Sequence, residues 1–215
     1  LALAALIAAP ASAQDEARKP SHCIAIAEAA PGIRYADASG FFDTLDDFTV
    51  RIRYVDHSMF LIRTPGGLHA ATDYTGFLGP TALVPDVVTM NNAHSTHWTP
   101  VPDPAIPHVL EGWAQGGEAA DHHLDLGEML VRNVPTDVRG SFDRVGVRPN
   151  GNSIFVFEVA GLCIGHLGHL HHEPDELQYA ALGRLDIVMA AVDGGLTLDL
   201  PTMIRILERL RSSII

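Results

Sequence analysis

Polar and apolar residues alternate from residue 48 onward. In 48–55, Phe48, Val50, Ile52 and Tyr54 interleave with Thr49, Arg51 and Arg53, the period-two pattern of a half-buried strand. A second strand is expected at 58–63, a hairpin turn at Pro65-Gly66-Gly67, and a returning strand at 68–72. Residues 86–90 are short and apolar throughout, as a central strand is. Pro100, Pro102, Pro104 and Pro107 make 100–107 a loop, because proline lacks the N–H a ladder needs. Further strands are expected at 108–110 and 124–131. A strong hairpin is expected from 152–159 through Ala160-Gly161 to 162–167.

The pattern then changes period. Residues 174–182 read as a helix with proline in its first turn. Residues 186–192 read as a buried strand. Met203, Ile204, Leu207 and Leu210 recur at helical spacing within 200–211. Residues 212–215 read as the start of one more strand, cut off. A meander followed by strand, helix, strand and helix implies an α/β sheet with helices packed outside.

Ahead of this domain, taken as 48–215, lies a leader at 14–47. It has a helical stretch at 23–30, then Pro31-Gly32 and an acidic segment. Residues 1–13, Leu-Ala-Leu-Ala-Ala-Leu-Ile-Ala-Ala-Pro-Ala-Ser-Ala, read as part of a secretory signal peptide. Its end, Ala11-Ser12-Ala13, has the small-x-small form of a cleavage site, and the stretch is too short to span a membrane. No Met or basic region precedes it, so the chain is read as starting inside the signal. The competing reading, a buried Ala-rich helix, suits Pro10 and the polar step Gln14-Asp15-Glu16 less well. A periplasmic or secreted location follows.

Composition narrows the partners. The chain has 215 residues, 47% hydrophobic and 19% charged, enough for one domain with a sizeable core. Its net charge of -12 repels nucleic acid and anionic membranes. The expected partner is a small-molecule substrate, with no membrane contact after signal cleavage. Two cysteines, Cys23 and Cys163, suit an oxidising compartment and could pair. Cys163, in an apolar strand, reads first as a buried thiol.

Twelve histidines are present, and two groups stand out. The apolar run Val87-Val88-Thr89-Met90 leads into Asn91-Asn92-Ala93-His94-Ser95-Thr96-His97. The run 162–167 leads into Gly168-His169-Leu170-His171-His172. Histidine-rich turns leaving buried strands are how a chain holds a metal at a sheet edge, since neutral imidazole is a good ligand.

In these residues the sequence resembles the metallo-β-lactamase-fold hydrolases, in the branch of small Zn-dependent hydrolases, over 48–215. Asp56-His57-Ser58-Met59-Phe60-Leu61-Ile62, followed by Thr64-Pro65-Gly66-Gly67, is similar to the family's first hairpin. Ala71-Thr72-Asp73 is similar to its Thr-Asp strand end. Asn92-Ala93-His94-Ser95-Thr96-His97 stands where the family has His-x-His-x-Asp-His. Cys163-Ile164-Gly165-His166-Leu167-Gly168-His169-Leu170 stands where a strand ends in His-x-Gly-Asp. Asp186-Ile187-Val188-Met189-Ala190-Ala191-Val192-Asp193-Gly194-Gly195 resembles the penultimate strand and its glycine-rich turn. The resemblance implies a four-layer αβ/βα sandwich, here with its last strand truncated, and metal at the edge between two sheets. It also shows departures. Asn92 and Thr96 replace a histidine and an aspartate ligand, and His169 replaces the bridging aspartate.

The expected ligands are therefore His94, His97, His169 and His171, holding one or two ions. Zinc is the first expectation, with iron, nickel, copper or manganese compatible. Losing carboxylate ligands leaves a metal more positive and favours acidifying a bound water. Asp73 and Asp193 are the candidates to orient or deprotonate that water. His57 reads as structural more readily than catalytic, and Asp73 equally as a buried loop anchor. His166 is expected inside its strand and His172 in solvent. Trp98 and Trp113 read as core more readily than as pocket wall. The implied activity is hydrolysis of a small ester, lactone, amide or phosphoester. The alternative is an exported, non-catalytic metal- or ligand-binding protein on the same fold, which Thr96 favours.

Overall fold

The computed structural model describes residues 18–25, 40, 43–140 and 146–215. The expected signal at 1–13 lies outside the described residues, as does most of the 14–47 leader. The leader helix begins as α1 (His22–Ala25).

Two five-stranded sheets face each other. The first runs β1 (Arg51–Asp56), β2 (Met59–Arg63), β3 (His69–Ala71), β4 (Val87–Met90), β5 (His108–Glu111), in that order across the sheet. Its first three strands are antiparallel, and β3, β4 and β5 are parallel. The second sheet contains β6 (His123–Asp125), β7 (Met129–Arg139), β8 (Val147–Val159), β9 (Leu162–His166) and β10 (Ile187–Met189), ordered β10-β9-β8-β7-β6. Only β9 and β10 are parallel there. Ile214 forms a parallel bridge to Ile187, where the hydrophobic pattern expects a further strand.

The strands without polar alternation are those covered on both faces. In β8, Phe155, Phe157 and Val159 point between the sheets, meeting Ile62, Ala70 and Val87. Ile154 and Val156 point the other way, onto Leu182, Met203 and Ile206 of the helices. Each such large side chain, fully buried, contributes about 1.5–3 kcal/mol. Helices α2 (Glu176–Leu182) and α3 (Leu200–Leu210) start at aspartate caps, Asp175 and Asp199. Both pack on the second sheet. Among the described residues the outer face of the first sheet is covered by loops instead, through Tyr74, Ile106, Trp98 and Trp113. The metallo-β-lactamase-type sandwich implied by the resemblance is thus present, with its helices against one sheet.

Two strands are longer than the sequence pattern suggests. β7 and β8 extend as an antiparallel arm beyond 131 and ahead of 152. In the fold, β6 pairs only with residues 130–132, so Pro135 faces an open edge that needs no N–H.

The cysteines correct one expectation. Cys163 is not a thiol: it is bonded to Cys23, 140 residues earlier. Beside the disulfide, Glu158 is fully buried and binds Arg132 Nε at 2.7 Å, Ser21 Oγ at 2.5 Å and His22 Nδ1 at 3.2 Å. This network and the disulfide fasten the leader to the back of the second sheet. Among the described residues no helix is long and apolar enough to cross a membrane.

Candidate metal centre

The first histidine turn begins where β4 ends. Asn91 N–H donates to Asp73 Oδ1 at 3.0 Å, and Asn91 Nδ2 donates to the Ser153 carbonyl at 2.7 Å in the opposite sheet. Asp73 sits after β3 with φ 43°, a left-handed conformation that Asp and Asn tolerate better than most residues. Asn91 therefore stitches the sheets together at the point where the chain leaves them. The following turn is closed by His94 N–H to Asn92 O and His97 N–H to His94 O, both at 2.7 Å.

That turn buries His97, which is 3% exposed, against Asp73. Asp73 Oδ2 lies 2.5 Å from His97 Nδ1, and Ser58 Oγ lies 3.2 Å from the same nitrogen. A carboxylate only accepts, so Nδ1 carries a hydrogen, and in the neutral ring Nε2 presents its lone pair.

The second turn supplies what Nε2 faces. After β9, Gly168 adopts φ 58°, and a Cβ there would fall on the Asn91 side chain. Glycine thus lets the two turns touch. His169 N–H donates to Asn152 Oδ1 at 3.0 Å, and His169 Nδ1 reaches His97 Nε2 at 2.9 Å. Around this pair, His94 stacks on His169 with centroids 5.1 Å apart, and His57 meets the His97 ring edge-on at 5.6 Å. His166 is buried in β9, as its strand position suggests, and its Nε2 donates to the Ser58 carbonyl at 2.8 Å.

A family model described as a beta-lactamase superfamily domain matches residues 51–215. The chain belongs to the metallo-β-lactamase superfamily. Two solved structures share its fold. One, from Thermotoga maritima, is assigned as a Zn-dependent hydrolase of the metallo-β-lactamase superfamily. It is 22% identical, with a TM-score of 0.55 over 76% of this chain and 72% of its own. The other, from Parabacteroides distasonis, is assigned as a metal-dependent hydrolase. It is 13% identical, with a TM-score of 0.55 over 74% of this chain and 76% of its own. No curated protein matches the chain.

Where the sequence resemblance expects ligands, the chain's own side chains contact one another. Asn92 accepts from Arg148 Nη2 at 3.0 Å and pairs with Asn152 in a β-bridge. The Thr96 hydroxyl contacts His94 Nδ1 at 3.0 Å. His171 lies against His169 with centroids 4.4 Å apart, but its Nδ1 accepts from Arg139 N–H at 2.9 Å. That contact uses the lone pair, so this arrangement does not offer His171 as a ligand. Asp193 is turned onto its own loop, accepting from Gly195 N–H and Thr197 N–H at 3.0–3.2 Å. Asp73 joins the site and Asp193 does not touch it.

The donor chemistry fits a metal at one point. His97 and His169 bring two imidazole nitrogens together, with a buried carboxylate fixing one ring, the arrangement that commonly backs a metal-bound histidine. No third His, Cys, Asp or Glu ligand atom joins that pair within 4.8 Å among the described residues. The one described triple that close, His22 with Cys23 and Cys163, contains the disulfide. His94, exposed, stacks on His169 with its ring nitrogens outside that distance.

The electrostatics keep imidazoles neutral. Burial, then the charges of His97, His171 and His94, lowers the His169 pKa to about 3. Burial, then Arg139 and His172, lowers that of His171 to about 4. Burial and His97 lower His94 as well. Burial pushes Asp73 upward, but His166, His97 and the Asn91 N–H together hold it below the usual carboxylate range. An ionised Asp73, with His169 and His94 held neutral nearby, suits metal ligation.

Proposed function

We propose that this protein is an exported metal-dependent hydrolase acting on a small ester, lactone, amide or phosphoester. One ion is held by His97 and His169, with His94 completing the set and zinc the first choice. The observation that supports this most is the Asp73–His97–His169 line, in which a buried carboxylate aims an imidazole nitrogen at a second imidazole. A bound divalent ion would supply Lewis acidity and an acidified water. The chain's part is to hold the proton on His97 Nδ1 through Asp73, to keep Nε2 aimed, and to wall the site with His57 and His94. The superfamily membership supports the hydrolytic reading, and the disulfide supports export to an oxidising compartment.

A second reading, a binding protein without catalysis, is favoured by Arg148 on Asn92 and Thr96 on His94, which fill former ligand positions. Zinc titration and a hydrolysis panel separate the two. The hydrolase reading expects about one equivalent of metal, lost in His97→Ala and His169→Ala, and turnover of at least one ester, lactone, amide or phosphoester probe. Metal uptake with no turnover across the panel would favour the binding protein. No metal uptake at all would overturn the metal centre.

A further inference from the structure

The β7–β8 arm carries two cations over the histidine turns, Arg139 and Arg148, placed on facing strands near its outer end. Such placement is notable in a chain where 26 acidic residues oppose 14 basic ones. The Arg148 guanidinium folds back along the arm. Its Nη2 donates to the side-chain oxygen of Asn92, which is 2% exposed, and lies 3.4 Å from the Gly151 carbonyl. A Cβ on Gly151 would stand 2.6 Å from Arg148 Nε, so this glycine clears the slot in which the guanidinium lies. A metal ligand of the family pattern has thus become the anchor of a permanent cation, and Arg148 itself stays exposed.

A second observation concerns the same place. With Nδ1 accepting from Arg139, the hydrogen of neutral His171 sits on Nε2, which is buried without a partner. An unmet buried donor is costly and calls for an acceptor. Arg148 acts electrostatically on both His94 and His171, so the cation faces the histidine turns from the arm side. The Asp193 carboxylate, held ionised by its own loop N–H groups, acts on His171 in the opposite sense to Arg148.

We propose that Arg148 and the Nε2–H of His171 form an oxyanion-recognition site beside the His97–His169 pair, so that the substrate carries a phosphate or carboxylate group. The guanidinium offers the forked donors such a group takes, and it needs no metal to do so. The substrate class rests on the hydrolase reading; the anion site itself does not.

The test is calorimetric titration of inorganic phosphate, and separately of acetate, into the full chain, both metal-stripped and zinc-loaded. The wild type is expected to bind at least one of them saturably without metal. Arg148→Met should weaken that binding by about tenfold or more with far-UV circular dichroism unchanged, and Arg148→Lys should recover part of it. Preference for phosphate over acetate would assign a phosphoester, and the reverse a carboxylate-bearing substrate. Absence of binding to the stripped wild type, or equal binding by Arg148→Met, overturns the proposal. A parallel zinc titration keeps the two readings apart: failure of zinc uptake sinks the metal centre and leaves the anion result standing.

Discussion

The Asp73 carboxylate lies 2.5 Å from Nδ1 of His97, and this contact sets the direction in which His97 presents its other nitrogen. Asp73→Asn keeps the left-handed backbone, since Asn also accepts it, but removes the charge. Zinc affinity is expected to fall about 10–100-fold, with far-UV circular dichroism unchanged. Competition against a chromophoric chelator measures it, and an unaltered affinity would remove Asp73 from the site.

Acid should loosen the metal-free protein early. His169 and His171 titrate at about 3 and about 4 in the fold, against an ordinary value near 6.5. Above about pH 6.5 both states hold neutral rings and stability is highest. Below it the unfolded chain takes up protons that the folded chain refuses until about pH 3–4, so stability falls across that window. Urea midpoints at successive pH values should show this fall, and His169→Asn should flatten it.

Glu158 is a structural ion-pair partner, outside the His97–His169 cluster. Its carboxylate is fully buried against Arg132, which also donates to the Ala181 and Leu182 carbonyls at 2.7 and 2.8 Å. Glu158→Ala leaves that guanidinium unpaired. A loss of about 3–5 kcal/mol in chemical denaturation is expected, because a stranded buried charge is more costly than the pair is beneficial.

The Cys23–Cys163 disulfide closes a long loop. Cys23→Ser, or reduction of the wild type, should lower stability by about 2–5 kcal/mol. Matched urea curves with and without reductant test it; coincident curves would mean that the leader is held by the Glu158 network alone.

Gly168 needs both its positive φ and its missing side chain. Gly168→Ala is expected to cost about 1–3 kcal/mol. It should also push Asn91 off the Ser153 carbonyl, read as a drop in thermal midpoint together with weaker zinc binding.

Much of the fold was legible in the hydrophobic pattern. Strands near 51–56, 59–63 and 87–90 and the hairpin into 162–166 follow from alternation or apolar runs with β-branched residues, which burial on one or both faces rewards. The outer half of the β7–β8 arm was not read from the pattern; in the fold Pro135 lies at an open edge and Gly151 clears a slot for a guanidinium. In the site, His97 and His169 were found through motif resemblance. That Asp73 acts on His97, that Asp193 turns away and that Nδ1 of His171 is already engaged depend on side-chain directions, which no spacing encodes. The cysteine pairing was left open, since a separation of 140 positions does not say which side chains meet.

Cys163 precedes His166 by three residues and His169 by six, so the bond to Cys23 clamps the strand that delivers half of the histidine cluster. Cys23 and Cys163 are joined to each other, and no free cysteine is found among the described residues. The order of maturation follows: Cys23 is made first and must wait for β9 before it can close. The bond therefore ties the strand leading into His166 and His169 to a residue 140 positions earlier, through a covalent link that needs no ligand at the site.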